Sequence, residues 1–278
     1  MRKAVLSIQH LLAMFGATVL VPLLTGLDPS VAIFCAGIGT LIFHKCTDLK
    51  VPVFLGSSFA FISVINQVKN TFNGDLSYAQ GGIMVAGLLY IIMSMIIKVA
   101  GPKKVKKYFP PQVTGAMIMI IGLNLLPTAV EMAMNNIIVA IVTLSIAVGI
   151  NKFGRGSIKQ FSVIIAIFIG IAVSAFIGIT DFSAVSKASL FAIPNFSAPK
   201  FSLKAIIIIA PVVLAVFMEH VGDITTNGAV VGKNFLEDPG LHKTLLGDGL
   251  ATLVAGLIGG PANTTYGENT ALLAITKN

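Results

Sequence analysis

Charge is scarce in this chain. Only 11% of its 278 residues are Asp, Glu, Lys or Arg, against roughly 25% in a soluble domain. A chain that is 55% hydrophobic, with a mean hydropathy of +0.92, has too little polar surface to cover itself in water, which excludes an ordinary soluble enzyme or binding module. Cysteine is also scarce: Cys35 and Cys46 are the only two. Their spacing is neither that of a zinc site nor that of a redox pair, and they imply no disulfide framework. No cleavable signal-peptide pattern opens the chain, because the first apolar run is about 20 residues long and carries Gln9 and His10. No nucleophile motif, metal cluster or phosphate loop marks a membrane enzyme. The net charge of +8 does not point to nucleic acid, since the lysines sit in loops between apolar runs, where they act as topology signals.

What is there is a series of apolar runs near 4–25, 31–43, 52–66, 80–98, 111–127, 136–150, 160–179, 204–222, 244–258 and 260–276. They make ten candidate spans of an all-α polytopic membrane protein whose surroundings are the lipid bilayer. With the N-terminus cytoplasmic, the inside loops collect Arg2, Lys3, Lys45, Lys50, Lys98, Lys103, Lys104, Lys106, Lys107, Lys152, Arg155, Lys159, Lys233, Lys243 and Lys277. The outside loops keep Lys69, Lys187, Lys200 and Lys204. This asymmetry is the one expected of the positive-inside rule. The basic run 103–107 reads as a cytoplasmic anchor.

Two spans are short and interrupted: the third, Val51 to Ile62, and the tenth, around Gly259 to Asn269. In the tenth, Gly259, Gly260 and Pro261 stop a helix, while Thr264, Thr265, Tyr266 and Glu268 supply polar groups that lipid cannot satisfy. Irregular backbone at membrane depth must line a cavity or lie buried in protein, and paired broken spans point to a transporter's binding site. Gln9-His10 precedes Ser57-Ser58 by 48 residues, and Glu219-His220 precedes Gly267-Glu268 by 48. Span eight therefore restarts the pattern of span one. An odd, seven-span unit places its two copies in opposite orientations and predicts about fourteen spans. On that expectation the chain is a C-terminally truncated fragment, stopping in the third span of the second copy.

Among the acids, Glu219, Asp223, Asp248 and Glu268 fall inside spans. Glu219 and Asp223, four apart, share one helical face, and His220 is rotated about 100° from Glu219. Burying such carboxylates without partners costs several kcal/mol each, which suits proton carriers. A lone intramembrane Glu can also be a structural hydrogen-bond partner, but two in paired elements favour function. His10 and His220 are more often packing donors than ligands, and no metal-like cluster accompanies them.

The strings SIQHLLAMFGATVLVPLL, FLGSSFAFI, EHVGDITTNG, EDPGLH and NTTYGENTALLAIT resemble the nucleobase–ascorbate transporter family (nucleobase:cation symporter-2), in particular its bacterial uracil permease branch. The resemblance implies two inverted seven-span repeats with short extended segments in spans three and ten. It implies a core domain from 1–108 and 204–278, a gate domain from 109–203, a homodimer, and residence in the bacterial inner membrane. It places Glu219 and Glu268 at the two uracil-binding carboxylates and the Phe59 and Gly267 amides at the carbonyl oxygens. The expected ligand set is Glu219, Glu268, Phe59, Gly267, Ser58 and Tyr266, the proton-coupling set is Glu219, Asp223 and His220, and Gln9, His10 and Asn269 support them. Protons are the coupling ion; no other cofactor and no metal is expected. One departure is Asp223, where studied uracil permeases carry a histidine. Xanthine or another purine remains open, although purine carriers usually have Gln at the Glu268 position. So does a non-transporting nucleobase receptor or channel, which would need no protonatable group at the site. Anion exchange does not fit, because two carboxylates would repel the substrate.

Overall fold

The computed structural model describes residues 2–108, 110–155, 157–183, 185, 192–267, 269, 270 and 273. It opens with the apolar helix α1 (Arg2–Thr25), with Pro22 in its last turn. Helix α2 (Pro29–Cys46) is started by Asp28, whose carboxylate accepts from the Ser30 and Val31 amides at 2.7 and 3.2 Å; these are donors that a helix leaves unpaired, and Pro29 needs none. The chain then turns irregular and forms the strand β1 (Leu55–Ser57), a single 3-10 turn (Phe59–Phe61) and α3 (Ile62–Thr71). Helix α4 (Ser77–Ala100) stops at Gly101, whose φ of +81° suits glycine, and the short α5 (Pro102–Tyr108) follows. Next come α6 (Pro111–Met134), α7 (Ile137–Phe153), capped by Asn136 on the Val139 amide at 3.0 Å, α8 (Ser157–Gln160) and α9 (Ser162–Phe176). Helices α10 (Leu203–Ile209) and α11 (Val212–Val231) meet at Ala210 and Pro211. One turn, Leu236–Gly240, leads into α12 (Leu241–Ile258), and β2 (Asn263–Thr265) completes the series, with the chain helical again at Gly267.

Five stretches among the described residues are long and apolar enough to cross a membrane: Pro29–Cys46, Ser77–Ala100, Gln112–Met134, Leu203–Val231 and Leu236–Ile258. Three more apolar helices are shorter: Met14–Thr25, Ile137–Phe153 and Ser162–Phe176. Among the described residues, therefore, the ten expected spans do not appear as ten through-going helices, and part of the tenth run, at 268, 271, 272 and 274–276, lies outside those residues. The third and tenth are broken, and glycine, proline and polar side chains at the breaks are the reason. Large apolar side chains face outward along the helices, Phe176 at 93% and Val99 at 90% exposure, a distribution that lipid accepts and water penalises.

The chain divides into two compact units, Met1–Ile121 with Pro194–Asn278, and Gly122–Ile193. In the second, α7 packs on α9, where a side chain at Gly170 would meet the Thr143 hydroxyl at 2.7 Å. In the first, α12 packs along α4 and α2. The α4–α12 seam is set by glycine: a Cβ at Gly87 would lie 2.6 Å from the Leu253 amide nitrogen, and one at Gly256 would lie 2.8 Å from that of Met84. Lipid tails are as apolar as side chains, so helices in lipid gain from such backbone approach more than from apolar burial.

Two sets of loop contacts fix the ends of this unit. Lys50 pairs with Asp238 and Lys243 with Asp48, at 2.5 and 2.6 Å, joining the loop after α2 to the start of α12. The Lys243 ammonium holds the Asp48 carboxyl below the ordinary carboxylate range. On another loop, Lys200 does the same to Asp75, helped by the Ser77 amide. The extended segment around Ser197 closes over the end of α12: Gln80 Nε2 donates to Ser197 Oγ at 2.7 Å and to the Gly259 carbonyl at 3.3 Å.

Candidate functional site

Where a helix breaks, its backbone groups need other partners, and here the two breaks satisfy each other. Strand β1 runs antiparallel to β2, with Leu55 opposite Thr265, Gly56 opposite Thr264 and Ser57 opposite Asn263. The ladder continues on both sides, the Ser58 amide donating to the Ala262 carbonyl at 2.8 Å and the Tyr266 amide to the Phe54 carbonyl at 3.2 Å. Two threonines on neighbouring helices anchor it. Thr40 of α2 accepts from the Leu55 amide at 3.0 Å while donating to the Ala36 carbonyl. Thr252 of α12 accepts from the Asn263 amide at 3.3 Å and donates to the Asn263 carbonyl at 3.0 Å. The Asn263 side chain reaches back to the Cys35 carbonyl at 3.1 Å, through space that a side chain at Gly39 would fill.

Helix α11 carries a polar row, and two of its members, Asp223 and Asn227, meet these breaks. Glu219, Asp223 and Asn227 recur at intervals of four, one face of the helix. The Thr265 hydroxyl donates to Asp223 Oδ2 at 3.0 Å, and Asp223 Oδ1 lies 3.7 Å from where a Gly267 side chain would begin. Asn227 spans both breaks, donating to the Pro52 carbonyl before β1 and to the Thr270 hydroxyl after β2, each at 3.2 Å. Glu219 and Asp223 are both half-buried.

The remaining expected residues are distributed as follows. Phe59 opens the 3-10 turn directly after β1, half-buried, and Gly267 opens the helical stretch after β2. The two chain segments thus carry helix starts, with their unpaired amides, beyond the C-terminal ends of antiparallel strands. Ser58 is buried, and its hydroxyl has no hydrogen-bond partner among the described residues. His10 Nδ1 is 3.3 Å from Asn269 Oδ1, which brings α1 to the segment after β2. Gln9 lies on α1, its side chain outside the described residues, and Glu268 and Lys187 lie outside them altogether.

Two expected residues face elsewhere. The Tyr266 ring covers Gly56, and its hydroxyl donates to the Ser57 carbonyl at 3.0 Å and accepts from Thr18 at 3.3 Å, while the Ser57 hydroxyl donates to the Thr18 carbonyl. Tyr266 therefore fastens β1 to α1 from within the packing. His220 is fully buried against α12, Nε2 at 2.9 Å from the Thr244 hydroxyl and Nδ1 at 2.8 Å from Asp248 Oδ2. Sequence reasoning did not single out Asn227, Thr40 or Thr252, and it left Asp248 without a role. Asn227 continues the four-residue spacing of Glu219 and Asp223, a signal that was present; the threonines carry none, because their partners are set by helix pairing.

The arrangement offers carboxylate acceptors on α11 and amide donors at two helix starts, which suits a small neutral ligand carrying both N–H and C=O groups. Among the described residues no three His, Cys, Asp or Glu side chains gather as metal ligands do.

Comparison with known proteins gives the same direction. The family model Xan_ur_permease, described as a permease family, matches residues 1–278. A probable uracil permease of Pasteurella multocida is 41% identical, over 100% of this chain and 68% of that protein. The uracil permease of Bacillus caldolyticus is 42% identical, over 98% of this chain and 66% of its own length. Among solved structures, the transmembrane domain of a cyanobacterium bicarbonate transporter, BicA, matches with a TM-score of 0.61, covering 98% of this chain and 76% of that one; at 15% identity the likeness is one of fold. With its apolar spans the chain is an integral membrane protein, and it belongs to this permease family.

Proposed function

We propose that the protein imports uracil, or a closely related nucleobase, by proton symport with alternating access. It would sit in the bacterial inner membrane with its N-terminus cytoplasmic. The observation that carries the reading is the antiparallel pairing of β1 with β2 beside the Glu219–Asp223 face of α11. Uracil has two N–H donors and two carbonyl acceptors. A carboxylate for each donor, Glu219 and Glu268, and a helix-start amide for each acceptor, Phe59 and Gly267, satisfy it completely. The names of the permease relatives support uracil as the substrate.

The same reading includes an inverted repeat of seven spans. In its support, the facing residues Leu55 and Thr265 are separated in sequence by the same distance as Gln9 and Glu219, and as His10 and His220. Asp28-Pro29 and Asp238-Pro239 keep that separation too, each pair just ahead of a helix, and so do Gly37 and Gly247, and Gly39 and Gly249. A two-fold relation through the Leu55–Thr265 pair accounts for all of them. Residues 1–108 and 204–278 are then core and 109–203 gate, and the division into compact units supports that partition. A homodimer belongs to the same proposal.

Labelled uracil uptake into proteoliposomes, with and without an inward proton gradient and with competing bases, tests it. Accumulation driven by the gradient and blocked by excess unlabelled uracil is expected. Uptake that never exceeds equilibration, or that xanthine blocks and uracil does not, would overturn it.

A further inference from the structure

We propose that Asp248, His220 and Thr244 form a proton-binding site in the packing between α11 and α12, distinct from the carboxylates that face the ligand. The inference rests on the symport reading and deepens it. His220 meets Asp248 Oδ2 through Nδ1 at 2.8 Å and Thr244 Oγ1 through Nε2 at 2.9 Å, and Thr244 Oγ1 is also 3.0 Å from the Leu241 carbonyl. His220 and Asp248 are within 2% of full burial, and Thr244 is at 0% exposure.

These heavy-atom positions serve two protonation states. In the unloaded state the ring is neutral, its Nδ1 edge 2.8 Å from Asp248 Oδ2 but outside hydrogen-bond geometry, and the Thr244 hydroxyl donates to the lone pair on Nε2. In the loaded state a proton taken from hydronium occupies Nε2 and leaves water behind. The new Nε2–H donates to Thr244 Oγ1, whose own hydrogen turns to the Leu241 carbonyl. Along the Nε2–Thr244–Leu241 chain each link keeps a donor and an acceptor in both states, and there the only atom that moves is a hydroxyl hydrogen, while Asp248 stays within ion-pair distance of the ring. The loaded triad is an ion pair with no net charge; the unloaded one carries the Asp248 charge in a buried place. A contact serving only to hold two helices together needs one state, and an uncharged amide would provide it.

The charged and titratable surroundings connect this site to the ligand face. On α11, Glu219 is the residue before His220. From α4, Tyr90 is buried within electrostatic reach of both Asp248 and Glu219. The Tyr90 hydroxyl and Asp248 Oδ1 are buried and have no hydrogen-bond partner among the described residues. From α2, Phe43 packs at Gly247 and brings no charge. Tyr90 is thus the polar group common to the ligand-side carboxylate and the triad, and the route by which the two would sense each other's charge.

The test uses the full chain in proteoliposomes and compares uracil counterflow, which needs no gradient, with proton-driven accumulation. Asp248→Asn should lower the ratio of accumulation to counterflow at least tenfold. Thr244→Val removes the acceptor for the loaded Nε2–H and should move the pH midpoint of driven uptake about one unit toward acid, and Thr244→Ser should restore it. A Thr244→Val midpoint equal to that of the wild type overturns the site, as does an Asp248→Asn ratio equal to that of the wild type. If the wild type itself fails to accumulate uracil under the gradient, the symport reading fails first, and the two failures are told apart by that control.

Discussion

At the first break the chain leaves α2 through Val51, Pro52 and Val53 and lays down Leu55–Ser57 against anchors that are neutral among the described residues: the hydroxyls of Thr40 and Tyr266 and the Thr18 carbonyl. At the second it leaves α12 at Gly259 and lays down Asn263–Thr265 against Thr252 and a carboxylate, Asp223. The backbone plan is shared, strand and then helix start, but among the described residues a carboxylate bonds the second strand and none bonds the first. On the proposed reading, the first break supplies a neutral edge, and the second, with α11, the groups that bind an N–H and exchange a proton. Two breaks alike in backbone plan and unlike in charge allow recognition and coupling, on the proposed symport reading, to be altered separately.

The largest expected effect comes from the charged half. A carboxylate that accepts from a buried N–H is worth roughly 1.5–3 kcal/mol, about ten- to more than a hundred-fold in affinity. Glu268→Gln should weaken uracil binding by that factor at every pH, measured by equilibrium binding to the purified protein; unchanged affinity would move recognition away from the second break. A smaller effect should follow loss of the anchors. Thr252→Val leaves the Asn263 amide and carbonyl without their hydroxyl, whereas Thr40→Val strips one amide, that of Leu55. Each buried group left unsatisfied costs about 1–3 kcal/mol, so the thermal midpoint should fall more for Thr252→Val. An equal or reversed order would show that the second break has no greater dependence on its neighbour.

Much of this was legible in the sequence. The breaks announce themselves through Pro52, Gly56, Gly259, Gly260 and Pro261 inside apolar runs, and the Glu219–Asp223 face follows from spacing alone. What was not legible depends on which helices lie side by side. His220 looked like a neighbour of the ligand because it adjoins Glu219 in sequence, yet a step of about 100° around the helix turns its ring onto α12, where Asp248 and Thr244 meet it. Tyr266 belongs to a polar string, but the missing side chain at Gly56 draws its ring into the packing. Neither direction can be deduced from residue type, since both side chains serve equally well as ligand contacts or as buried hydrogen-bond partners.

The smallest expected effect concerns the loop pairs. Because Lys243 depresses the Asp48 carboxyl, the pair's stabilisation is present above the ordinary carboxylate value of about 4 and is lost as pH falls through the lower folded value. The difference in thermal midpoint between wild type and Asp48→Asn should therefore be small at neutral pH, as for exposed pairs generally, and should vanish in acid. A difference that grows with acidification would mean the pair does not form.

The most direct test of proton-coupled uracil transport at this site is the accumulation ratio of labelled uracil in vesicles carrying Glu219→Gln under an inward proton gradient. Glutamine mimics the protonated carboxyl, so the account predicts that some binding survives while accumulation falls to simple equilibration and its pH dependence disappears. Uracil still concentrated against its gradient by Glu219→Gln, with the pH dependence of the wild type, would contradict it.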